Sequence, residues 1–206
     1  MSSANLTVNQ FLEAYRAGQH SFPDLTLKSA NLQGCHLPLI DLSESILEHA
    51  DFRKAILSGS CFIRARLQDA NLDQANLIAA ELMRANLQRA SLKNTLLASA
   101  NLCGADLSEA NLQYASLNGA NLNGARLRGA NLRGVNLDGA SLLGTDLMDA
   151  DLRDVDLKQA KLGYTVMPDG YCLVGDNTVD DDPNKANVSL ASISAYARLA
   201  KIIRSV

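Results

Sequence analysis

A strict period of five limits what this chain can become more than any other feature. Every fifth residue from Leu27 to Leu162 is Leu or Phe, 28 positions in unbroken phase, 26 of them Leu and two Phe (Phe52, Phe62). Two residues before each stands a small residue, which is Ala at 19 of the 28 positions. The residue between them is usually Asn or Asp, as at Asn31, Asn71, Asn76, Asp106 and Asp151. The last two places of each unit vary and are mostly polar or Gly. A helix repeats at 3.6 residues and a flat strand at 2. Ala and Leu favour a helix by propensity, but a five-residue period walks around a helix and buries no single face. The alternative is a short extended segment closed by a sharp turn. Small-x-large then puts both apolar residues on one side of a strand, and the next two residues turn the corner. Gly in the second of those places (Gly34, Gly59, Gly104, Gly119 and others) suits a turn that needs positive φ. One such unit cannot stand alone, and stacking supplies the core, so the pattern predicts an all-β solenoid.

The units Ala30-Asn31-Leu32, Ala110-Asn111-Leu112, Ala105-Asp106-Leu107 and Ala150-Asp151-Leu152 resemble the A(D/N)LXX motif of the pentapeptide-repeat family. The resemblance covers residues 25–164. It implies a right-handed quadrilateral β-helix with four units per coil, hence about seven coils from 28 units. At ~4.8 Å between stacked strands the rod is roughly 34 Å long. Handedness and four-sidedness rest on the resemblance, since the period alone fixes neither.

Short helical caps are expected at both ends. Residues 1–24 read as an N-terminal cap. Within it, residues 7–18 have Thr7 or Asn9 as N-cap, an apolar stripe of Val8, Phe11, Leu12 and Tyr15, and Gly18 as a stop. Such a helix would cover the open first coil and its unpaired strand edges. The repeat occupies residues 25–164. Residues 165–187 form a turn at Met167-Pro168-Asp169-Gly170 and then an acidic linker. Residues 188–206 return to helical spacing, with Leu190, Ile193, Tyr196, Ala200 and Ile203 on one face.

Nothing in the chain reads as an enzyme. The Asn and Asp columns flank buried Leu residues and are expected to satisfy backbone groups at the turns. The three His lie at unrelated phases, and Asp180-Asp181-Asp182 lacks the spaced ligands of a calcium loop. With 20-residue coils, Cys61 and Cys103 fall about 10 Å apart, beyond disulfide reach, so free thiols are expected. No cofactor or metal is predicted. No apolar run is long enough to span a membrane, no signal peptide is evident at residues 1–22, and a cytoplasmic location is expected. Arg126, Arg128 and Arg133 cluster, but aromatic stacking partners are scarce among 4% aromatic residues, which argues against direct nucleic-acid binding.

The family resemblance also implies one known activity, binding of DNA gyrase, a type II topoisomerase, by imitating DNA. That needs a strongly negative rod. Residues 25–164 hold 15 acidic and 14 basic residues, a net of −1, with acids gathered late at Asp146, Asp149, Asp151, Asp154 and Asp156. The preferred reading is a non-enzymatic rigid scaffold that binds another protein, with the topoisomerase-directed DNA mimic as the alternative.

Sorting outward positions by side, with four units per coil, puts most surface apolar residues on two adjacent sides. The candidate interaction surface comprises Leu39, Ile56, Ile78 and Leu96 on one side and Ile63, Met83 and Cys103 on the next. An exposed stripe of this kind marks an interface. The C-terminal helix, through Leu190, Ile193, Tyr196 and Ile203, is expected to dock there, within its own chain or across a homodimer. Its rival is a plug in the last coil.

Overall fold

The computed structural model describes residues 6–174. Within them the period of five becomes a four-sided coil. Isolated parallel bridges link residues twenty apart, from Ser21↔Asp41 to Asp146↔Val166, so four units complete one turn and each side stacks on itself. We number the sides by their outward residues in the first coil: first side 21–24, second 26–29, third 31–34, fourth 36–39, each repeating every twenty residues.

One unit shows why each place has its residue. Asn86 N–H donates to the Ala65 carbonyl at 2.9 Å, Leu87 N–H to Asp106 O at 2.7 Å, and Arg89 N–H to Ser108 O at 3.0 Å. Ala90 N–H closes the corner on Leu87 O at 3.0 Å. The remaining N–H, that of Gln88, is taken by Asn86 Oδ1 at 3.1 Å. The Asn or Asp column therefore exists because its side-chain oxygen satisfies the one corner N–H that neither the ladder nor the turn uses. The same bond recurs at Asp41, Asn71, Asn111, Asn131 and Asp146, among others. At Ser91 and Ser141, which replace Asn, the coil twenty residues earlier supplies the acceptor: Lys93 N–H bonds Asp73 Oδ1 and Leu143 N–H bonds Asn123 Oδ1.

The second corner residue has positive φ in every unit from Asp24 to Asp154, although most of these residues are not Gly. Leu39 (φ 58°), Ala79 (φ 55°) and Tyr114 (φ 58°) all accept it. Each such residue costs about 1 kcal/mol, offset by the corner bond and by the stacked bond one coil away.

Inside, Leu and Ala columns pack with no exposure through the middle coils. The column runs one unit beyond the Leu/Phe series at each end, to Phe22 and Met167, both buried. Where Ser or Thr replaces Ala, as at Ser45, Thr95 and Thr145, the buried hydroxyl donates to a carbonyl of the preceding coil, which removes the desolvation cost.

Helix α1 (Val8–Arg16) packs on the first coil. Thr7 and Gln10 form a capping box, and Gly18 at φ 94° follows the helix end. Phe11 meets Phe22 edge-on, centroids 4.9 Å apart, and Tyr15 Oη donates to Pro38 O at 2.9 Å.

The far end is less regular. The Asn136–Asp156 bridge is missing, and Gly139 N–H reaches Gln159 O, one residue past the column's register. Leu152 and Val155 are only partly buried. The coil then runs into an antiparallel hairpin, β1 (Thr165–Val166) and β2 (Cys172–Leu173). Its turn is the one expected at 167–170, closed by Gly170 N–H on Met167 O. The C-terminal residues Leu190, Ile193, Tyr196 and Ile203 lie outside the described residues, as do Asp180, Asp181 and Asp182.

Candidate protein-binding surface

The four sides share one backbone and one core, so any function is carried by the outward residues. Of the candidate residues, Leu39, Ile56, Ile78 and Leu96 all stand on the fourth side and are exposed, Leu39 at 72%. Ile63, Met83 and Cys103 stack in one column of the first side and are half-buried. The two groups stand on adjacent sides, separated by the column of Asp41, Cys61, Glu81 and Asn101, and their settings differ. The first side also carries Asp41, Glu44, Arg64, Glu81 and Arg84. On the fourth side, the five stacked units 36–40, 56–60, 76–80, 96–100 and 116–120 contain no Asp, Glu, Lys or Arg, in a chain that is 20% charged. The first charge on that side is Asp138.

The fourth side is also flat. Its second-corner column reads Leu39, Gly59, Ala79, Ser99, Gly119 and Gly139. Leu39 lies down over Gly59, where an added Cβ would sit 2.7 Å from Leu39 Cδ2. Ile56 and Leu96 occupy the Asn/Asp place and so forgo the corner bond that Asn76 makes with Ile78 N–H on the same side.

The other sides are laced with ion pairs. Arg126, Arg128 and Arg133 each face a carboxylate, at Asp106 (4.0 Å), Asp146 (3.3 Å) and Asp154 (3.1 Å). Of the late acids, Asp151 is matched by Arg153 and, on the fourth side's irregular last coil, Asp156 by Lys158, while Asp149 enters no ion pair among the described residues. The Arg53 hydrogen bonds hold the Asp51 carboxyl below its usual range, and Arg89 does the same for Asp69.

The Cys35 and Cys61 thiols are held toward their protonated form. Burial, followed by the neighbouring Asp41 and Glu81 carboxylates, raises the Cys61 thiol; burial also raises Cys35. Both move away from the reactive thiolate. All four cysteines are free. No cluster of three metal-ligating side chains occurs among the described residues, and no described helix is long and apolar enough to cross a membrane. An open crevice between α1 and the first coil is lined by Leu12, Tyr15, Arg16, Gln33, Cys35 and His36, and the Tyr15 hydroxyl there is already donated to Pro38 O.

A family model described as pentapeptide repeats matches residues 24–59, 60–97, 90–129 and 125–163 in 8 copies. Among solved structures, the chain is similar to HetL, a pentapeptide repeat protein involved in heterocyst differentiation regulation in the cyanobacterium Nostoc sp. strain PCC 7120. Identity is 29%, over 82% of this chain and all of that one, with a TM-score of 0.44. It is similar to a pentapeptide repeat protein of the Arabidopsis thaliana thylakoid lumen at 31% identity, over 61% of this chain and 70% of that one, with a TM-score of 0.27. A trypsin-treated form of QnrB1, a plasmid-mediated fluoroquinolone resistance protein, matches at 20% identity over 69% of this chain and 82% of its own, with a TM-score of 0.44. Among curated proteins, none is significantly similar in sequence. With the family's repeat matched across most of its length, and four units closing each coil, the chain belongs to the pentapeptide-repeat family.

Proposed function

We propose that this protein is a non-enzymatic rigid scaffold that binds another protein through the apolar stripe of its fourth side, continued on the first side by Ile63, Met83 and Cys103. The observation that carries this reading is the charge-free run of the fourth side, with Leu39, Ile56, Ile78 and Leu96 exposed on it. A stacked β surface loses little entropy on binding, because its backbone is already fixed. Apolar residues also stand in places where Asn would serve the fold better, and departures of that kind from a local rule concentrate at functional sites.

The test is affinity capture with three full-length chains: wild type, Ile78→Asp with Leu96→Asp, and Gln74→Asp with Asn94→Asp on the third side. A partner held by the first and third chains but lost by the second supports the proposal. Equal retention by all three overturns it.

The DNA-mimic alternative is weaker, because the acids that would imitate phosphates are largely matched by Arg or Lys. A gyrase supercoiling assay tests it directly. No inhibition or protection at micromolar protein removes that reading.

A further inference from the structure

The uncharged side has a definite shape. It is three outward residues wide, roughly 10 Å, and its charge-free units stack over about 20 Å. An area near 200–250 Å² falls well short of the ~800 Å² per partner of a stable protein interface, so a second copy seated on this side alone lacks the contact it needs. The width matches a single α-helix, about 10–12 Å across with its side chains.

The sequence offers a segment patterned for one. Beyond Val174 it continues for 32 residues. Residues 175–188 contain Asp176, Asp180, Asp181 and Asp182 against one Lys185, and are a polar spacer. Residues 189–206 contain no acid and three bases, Arg198, Lys201 and Arg204. At helical spacing, Ile193, Tyr196, Leu199 and Ile203 fall on one arc, with Arg204 at its edge and Arg198 and Lys201 on the opposite face. Fourteen spacer residues extend up to ~46 Å, more than the six coil spacings, about 29 Å, from the last coil back to the unit of Leu39. Eighteen residues as a helix measure about 27 Å, enough to cover the charge-free run.

Charge agrees. Asp41 and Glu81 border the fourth side along its corner with the first. Neither enters any ion pair among the described residues; Asp41 accepts from Ser21, Ser43 and Cys61, and Glu81 from Asn101.

We propose that residues 189–206 lie as a helix along the fourth side of their own chain, with Ile193, Tyr196, Leu199 and Ile203 against Leu39, Ile56, Ile78 and Leu96, and Arg204, at the edge of the apolar arc, toward the corner that carries Asp41 and Glu81. This rests on the fourth side being the binding surface, and it adds regulation: an outside partner must displace the tethered segment. A tether of this length holds its segment at an effective concentration near millimolar, so a weak contact suffices to mask the side.

Hydrogen–deuterium exchange on the full chain tests it, with light scattering for mass. The expected result is a monomer whose amides at 189–206 exchange at least tenfold more slowly than an unstructured segment. That protection disappears in Ile78→Asp with Leu96→Asp and persists in Gln74→Asp with Asn94→Asp. Ile193→Asp with Tyr196→Asp, which leaves the rod untouched, removes it too. Free exchange of 189–206 in the wild type overturns the proposal. So does protection indifferent to the fourth-side variants, which places the segment on the last coil, or protection that rises with a dimer mass. If 189–206 exchanges freely while the fourth-side variant still loses its captured partner, the scaffold reading stands and only the self-masking falls.

Discussion

The second and fourth sides face each other across the same core and could hardly differ more on the outside. The second carries Lys28–Glu48, Arg66–Glu48, Arg89–Asp69, Arg126–Asp106 and Arg128–Asp146. The fourth has no charge until Asp138, and its one ion pair among the described residues is Lys158–Asp156 in the irregular last coil. Ladder bonds, corner φ values and buried columns are common to both. Stability and recognition are thus separable here: the inward residues build the rod, and each side's outward residues are free to specialise.

The largest effect should test whether the two sides rest on equal foundations. Leu87 lies beneath the second side and Leu97 beneath the fourth, both at 0% exposure. Leu87→Ala and Leu97→Ala are each expected to cost about 2–5 kcal/mol in urea unfolding. A change under 1 kcal/mol at either would show that its side is not built on a packed core position.

A smaller effect probes the corner bond. Asn86→Ala on the second side removes the acceptor of Gln88 N–H and should cost about 1 kcal/mol. The fourth side offers the reverse experiment. Leu96→Asn supplies Ala98 N–H with an oxygen in the place that Asn76 fills one coil earlier. It should raise stability by about 0.5 kcal/mol while weakening capture of the partner. Unchanged stability together with unchanged capture would remove the reason for regarding Leu96 as functional.

The smallest effect is acidic. Arg89 holds the Asp69 carboxyl below its ordinary value, and Lys28, with a second contribution from Arg66, does so for Glu48. A depressed folded pKa contributes stability that is fully present above the unfolded value, near 4, and is lost as pH falls through the folded one. Unfolding midpoints should therefore be level from pH 7 to about 5 and fall below about 4. Arg89→Gln should lower the midpoint at neutral pH and flatten that fall. The fourth-side variant Ile56→Ser should leave the acid slope unchanged.

Much of the rod was legible from the sequence, because a period of five admits few geometries. The Asn/Asp column was readable as turn chemistry, and the hydrogen bonds from Oδ1 to the corner N–H groups bear this out. The corner conformation was legible only at Gly. Leu39 and Tyr114 adopt the same φ because the stacked backbone imposes it, a tertiary effect that no local preference announces. The slip at Gln159 has no sequence signal that we can identify. For the surface, counting apolar residues pointed to two sides alike. Counting charges by twenty-residue column separates them, because it exposes Asp41, Glu44, Arg64, Glu81 and Arg84 around Ile63 and Met83.

The twenty-residue bridge spacing makes the molecule a surface with a modular address. An insertion of twenty residues lengthens the rod by one storey and leaves every later residue facing as before. An insertion of five keeps the core in phase but turns everything after it by a quarter, carrying Leu96 off the wall that holds Ile56. One residue more or less sends Leu outward and a corner residue in. Heredity can therefore stretch such a rod cheaply by whole storeys, while any other change in length rewrites which residues share a wall.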